Sequence, residues 1–150
     1  MLVLPGMVDL HGDAFERQVM PRPGVAFDMD VALAETDRQL VANGITTAFH
    51  AVTFSFEPGL RGGDAVRDFM AAMSRLRGRL ACDTRVHLRH EAYNIDAVDE
   101  ILGWIADGAV DLLAFNDHTP PLVEKARTGK SRMRFVERTG LDPAAFAALL

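Results

Sequence analysis

The strongest constraint on this chain is a regular exchange between two hydrophobic periods. Short apolar runs alternate with stretches that carry apolar residues at helical spacing and stop at a glycine. The runs from Met7 to His11, Ile45 to Val52, Arg85 to Glu91 and Val110 to Phe115 read as strands. The second is β-branched and apolar, the signature of a buried parallel strand. Between them the spacing predicts helices. One spans about Asp28 to Asn43 and stops at Gly44. The next opens at Gly62-Gly63-Asp64 with Asp64 as N-cap, carries Val66, Phe69, Met70, Met73 and Leu76, and stops at Gly78. A third is capped by Asn94 or Asp96, carries Val98, Ile101, Leu102 and Ile105, and ends at Gly108. Such βαβα alternation implies an α/β fold with a parallel sheet and right-handed crossovers.

The remaining segments read as connections. Pro21-Arg22-Pro23-Gly24 marks a loop. Lys125 to Arg138 is a basic segment, helical in part and broken at Gly129; its simplest role is a solvated face, with Lys130 or Arg132 in reach of a phosphate. No repeat, low-complexity stretch or domain linker interrupts residues 1–150.

Composition narrows the function classes. A net charge of −5 argues against a general nucleic-acid partner. Cys82 is the single cysteine, which rules out an internal disulfide and a cysteine zinc cluster. No apolar run approaches the ~18 residues of a membrane span, and Met1-Leu2-Val3-Leu4 lacks the basic start of a secretory leader. The cytoplasm is the expected compartment. No glycine-rich phosphate loop and no nucleophile elbow is present, which removes kinase-like and covalent-hydrolase chemistries.

Ligands of parallel α/β folds bind at the carboxyl ends of the strands. All five histidines fall at or near such ends. Strand one ends with His11 and Asp13, which point the same way and offer a nitrogen and an oxygen to one cation. His50 lies near the end of strand two, His87, His90 and Glu91 near that of strand three, Asp117 and His118 at that of strand four. Parity groups His87, Arg89 and Glu91 on one face and turns His90 toward the helices. Glu91 has a second reading as a salt-bridge partner of Arg89 or Arg85, and His118 as a cap of the turn before Pro120. His50 and His90 read as packing histidines.

Asp9-Leu10-His11-Gly12-Asp13-Ala14-Phe15-Glu16, Pro21-Arg22-Pro23-Gly24, Gly44-Ile45-Thr46-Thr47, His87-Leu88-Arg89-His90-Glu91 and Asp117-His118-Thr119-Pro120 occur in that order. In this the chain resembles the phosphonate-metabolism diphosphatases of the amidohydrolase superfamily, from about Leu4 to Pro120. The resemblance implies the first half, about four βα units, of a TIM (β/α)8 barrel. It implies one or two divalent metal ions, zinc foremost with manganese or iron as alternatives. The ligands in this chain would be His11, Asp13, Glu91 and His118. Glu91 and Asp117 are the candidate catalytic carboxylates. The implied reaction releases pyrophosphate from a ribosyl triphosphate phosphonate, a small phosphorylated sugar, with Arg22 and Arg89 as phosphate clamps. Deamination or cyclic-amide hydrolysis by the same machinery is the rival reaction.

Four βα units cannot close a barrel of eight, and the helix opened by Asp142-Pro143 stops uncapped at Leu150. The expectation is therefore a fragment truncated at its C-terminus, inactive by itself. Its open sheet edge would be covered in a homo-oligomer.

Overall fold

A computed structural model describes residues 2–128 and 137–150. Its centre is a curled, four-stranded parallel sheet in the order β1-β2-β3-β4. The strands are β1 (Met7–Gly12), β2 (Ile45–Phe54), β3 (Asp83–Glu91) and β4 (Leu112–Asn116). The described helices include α1 (Ala14–Val19), α2 (Met29–Ala42), α3 (Gly63–Leu76), α4 (Val98–Ala106), α5 (Thr119–Thr128) and α6 (Pro143–Leu149), with a short 3-10 turn at Ile95–Ala97 before α4. The four strands and their crossover helices form a half-barrel, the architecture of a partial (β/α) barrel.

The caps explain where helices start. Asp28 accepts hydrogen bonds from the amides of Asp30 (2.9 Å) and Val31 (3.2 Å), and Asp142 from those of Ala144 (2.8 Å) and Ala145 (3.0 Å), with Pro143 at the first turn. The start of α3 differs from the expectation. Gly62 is the flanking residue, and Asp64 lies inside the first turn, paired with Arg67. Neither Asn94 nor Asp96 caps α4, because the 3-10 turn intervenes. Lys130 and Arg132, and the expected break at Gly129, lie outside the described residues.

Helix α1 is an addition to the sequence expectation. It is only six residues long, so it shows a single apolar pair, Phe15 and Val19, both buried. That pair is one helical turn apart, with the Phe15 ring against Phe69 of α3, and a single pair is too short a pattern to announce a helix on its own.

Pairing parity sorts the sheet into two faces. Val52, Phe54, Val86 and Leu88 join Phe15, Leu33, Val66 and Phe69 in one core between sheet and helices. Burying this apolar surface is the main driving force for the fold. The alternate residues of the same strands point the other way. Ala51 pairs in register with His87, and Thr53 with Arg89. Polar side chains therefore collect on the concave face. The outer strands leave apolar groups uncovered, Val8 and Leu10 on β1 and Phe115 on β4. Among the described residues no helix is long and apolar enough to cross a membrane.

Candidate functional site

The carboxyl ends of the strands surround a cleft of about 420 Å³. His11 and Asp13 reach it from β1 and the turn after it, Thr53 and Ser55 from the end of β2 and the residue after it, Arg89 and Glu91 from β3, His118 from just before α5 and Lys125 from within α5. Glu57, Arg61 and Arg138 close one side.

Glu91 and His118 are paired. Nδ1 of His118 lies 2.6 Å from Glu91 Oε1, and the His118 amide donates to Oε2 at 3.2 Å. Glu91 is buried while about half of the His118 side chain is exposed. The partner of Glu91 is thus neither Arg89 nor Arg85: Arg89 donates to the Thr53 hydroxyl at 3.1 Å, and Arg85 pairs with Asp83.

The deeper layer of the concave face is histidine. His87 Nδ1 meets the Leu10 carbonyl oxygen at 3.0 Å, which only accepts, so that nitrogen carries the proton. Its Nε2 is buried without a partner among the described residues. The ring stands edge-on to His11, with centroids 5.2 Å apart. Burial, ahead of every other influence, holds the His87 pKa below its ordinary value.

The other two histidines face the helices, as parity requires. His50 is buried between Phe15 and Phe69, and burial drives its pKa down to about 4. His90 packs against Phe115 and the apolar side of α4, and burial lowers its pKa too.

The structure brings His11, Asp13, Arg89, Glu91 and His118 to one cleft and leaves Arg22 and Asp117 off its wall. Arg22 lines an adjoining groove with Glu16 and Pro23, and Arg138 borders both spaces. Asp117 Oδ1 accepts from the Thr119 amide at 3.2 Å and so starts α5. In kind, two imidazoles and two carboxylates suit a divalent ion. In placement, no three such groups converge tightly enough among the described residues to chelate an ion by themselves. The donors are a partial set.

Four charged cleft residues escaped the sequence reasoning: Glu57, Arg61, Lys125 and Arg138. Arg61 forks onto Glu16 at 3.0 and 2.9 Å, and Arg138 meets Glu57 at 2.7 Å. Arg89 and Lys125 form no ion pair with a carboxylate among the described residues, and they share the cleft with the carboxylates of Asp13 and Glu91. Glu57 and Arg61 were within reach of one signal, their place in the loop that leaves the carboxyl end of a strand.

Fold and cleft together define a βα half-barrel with a mixed-charge site at its strand ends. Over 147 residues the chain is 27% identical to the alpha-D-ribose 1-methylphosphonate 5-triphosphate diphosphatase of Escherichia coli (strain K12), a match covering 95% of this chain and 38% of that protein. The chain therefore spans well under half the length of this curated relative. The likeness is a distant relation to a hydrolase. No family model matches the chain, and no solved structure matches it.

Proposed function

We propose that this chain carries part of the active site of a metal-dependent hydrolase that releases pyrophosphate from a ribosyl triphosphate phosphonate. The observation that carries the reading is the meeting of His11, Asp13, Glu91 and His118 with two cations, Arg89 and Lys125, in one cleft. The relative's name supplies the substrate class. His11, Asp13 and His118 would supply only part of the ion's ligand set, with Glu91 behind His118. A divalent ion bound there would supply Lewis acidity toward water and a phosphoryl oxygen.

The chain's own residues do the rest. Thr53 fixes the Arg89 guanidinium, which offers phosphate a planar, bidentate donor. Lys125 adds a mobile point charge opposite the strand ends. Both neutralise charge that builds on equatorial phosphoryl oxygens in the transition state. Arg61 and Arg138 are already charge-balanced and shape the wall. Arg22, in the adjoining groove, is the outer contact for an extended polyphosphate.

The test is an assay of the protein in its full reading frame, with zinc or manganese, on a ribosyl 1-phosphonate 5-triphosphate. Pyrophosphate release that is abolished by a chelator and restored by the metal is expected. Ammonia release from a panel of amides, with no pyrophosphate, would replace this reading with C–N hydrolysis. For Arg22→Ala an increased KM is expected; unchanged KM and kcat would end its assigned role.

A further inference from the structure

We propose that two copies of this chain close one barrel: β4 of each copy pairs in parallel with β1 of the other, about a two-fold axis that runs along the barrel. The inference stands apart from the hydrolase reading and concerns the edges of the sheet, not the cleft.

The sheet ends on two edges of matching kind. β1 and β4 are its outer strands, and the far side of each meets no other strand among the described residues. They are of nearly equal length, six and five residues. All neighbouring strands are parallel, so β1 and β4 run the same way. A rotation about the barrel axis preserves that direction, and each copy offers one edge of each kind. Two heterologous contacts then close a ring after two copies. Strand number agrees: a (β/α) barrel closes with eight strands, and two sets of four supply them. The complement of each edge is carried by the chain itself, which makes a second copy the occupant.

The edges are also unguarded. Exposed edges are normally blunted by charge or proline, yet β4 reads Leu112-Leu113-Ala114-Phe115-Asn116 with neither. Phe115 is 74% exposed, and Val8 and Leu10 of β1 are each 59% exposed. An apolar groove between α4 and β4, lined by Val98, Leu102, Ile105 and Phe115, widens the uncovered strip. Closure buries these groups and pairs the free backbone donors and acceptors of both edges, which an open parallel sheet leaves to water.

The experiment is sedimentation equilibrium of the 150-residue chain, joined to cysteine cross-linking. A mass of two chains is expected. Phe115→Lys and Leu10→Lys, both at exposed positions, should each weaken the dimer roughly tenfold or more, since the new charge would lie at an edge that closure buries. Cross-linking with a short bismaleimide, in a Cys82→Ala background, locates the contact without adding charge to it. Val8→Cys and Leu112→Cys together in one chain should give a covalent dimer. Either cysteine alone should give none, because β1 meets β4 and never its own copy. A monomer, an open-ended assembly, a cysteine pair that gives no covalent dimer, or a covalent dimer from a single cysteine overturns the proposal. So does a dimer that both lysine variants leave intact.

Discussion

Arg138 Nη2 donates to Glu57 Oε2 at 2.7 Å, joining two positions 81 residues apart in the chain. Glu57 is almost fully buried, and the Arg138 side chain is about one quarter exposed. Removing one member leaves a charge buried without its partner, which costs about 3 kcal/mol. Arg138→Ala should lower unfolding stability by that amount in urea titration. Removing both members at once, with Glu57→Leu and Arg138→Leu, should cost less than the two single changes summed. An unchanged midpoint in Arg138→Ala would deny the pair a structural role.

Gly59 lies under the same contact. Its φ is +83°, and an added Cβ would run into the Arg138 carbonyl oxygen. That carbonyl also accepts from the Leu60 amide. Gly59→Ala therefore combines left-handed backbone strain with a steric clash, for a loss of about 2 kcal/mol or more. Gly103, with open space around its Cβ position, is the control on an exposed helix turn, where alanine should stabilise slightly.

Asp37 ties α2 to the start of β3. Its carboxylate accepts from the Ala81 amide at 3.0 Å and the Cys82 amide at 2.8 Å, within a buried setting. Asp37→Ala orphans both donors, and hydrogen bonds to a charged acceptor contribute about 1.5–3 kcal/mol. Thermal unfolding should report this loss, while Asp37→Asn, which keeps one acceptor oxygen, should lose less.

His50 makes the fold acid-sensitive. Its pKa is near 6.5 in an unfolded chain and about 4 in the folded one, chiefly through burial. Above the unfolded value both states are neutral at this site and its contribution to stability is complete. As pH falls from about 6.5 to about 4, the unfolded chain takes up a proton that the folded chain refuses, and stability drops. The full difference is on the order of 3 kcal/mol. His50→Leu should flatten unfolding stability across this window. An equally steep acid loss in the variant would place the sensitivity elsewhere.

Much of the fold was legible in the sequence because it is written in local terms. The Ile45–Phe54 strand is a run of β-branched and apolar residues, and Asp28 and Asp142 announce helices by accepting amides two and three residues on. Parity placed Arg89 and Glu91 in the cleft and turned His90 toward α4. Helix α1 and the 3-10 turn before α4 were hidden because each is too short to repeat a period.

The chain's order of residues determined the strand–helix alternation, the faces of β2 and β3, and the gathering of histidines and carboxylates at strand ends. Each of these depends on neighbours within a few positions. Tertiary structure decided which of those groups meet: Glu91 with His118, Arg61 with Glu16, Arg138 with Glu57. These partners lie 27, 45 and 81 residues apart. No local period encodes such a pairing, since it exists only once packed helices and a curled sheet have brought distant loops to the same rim.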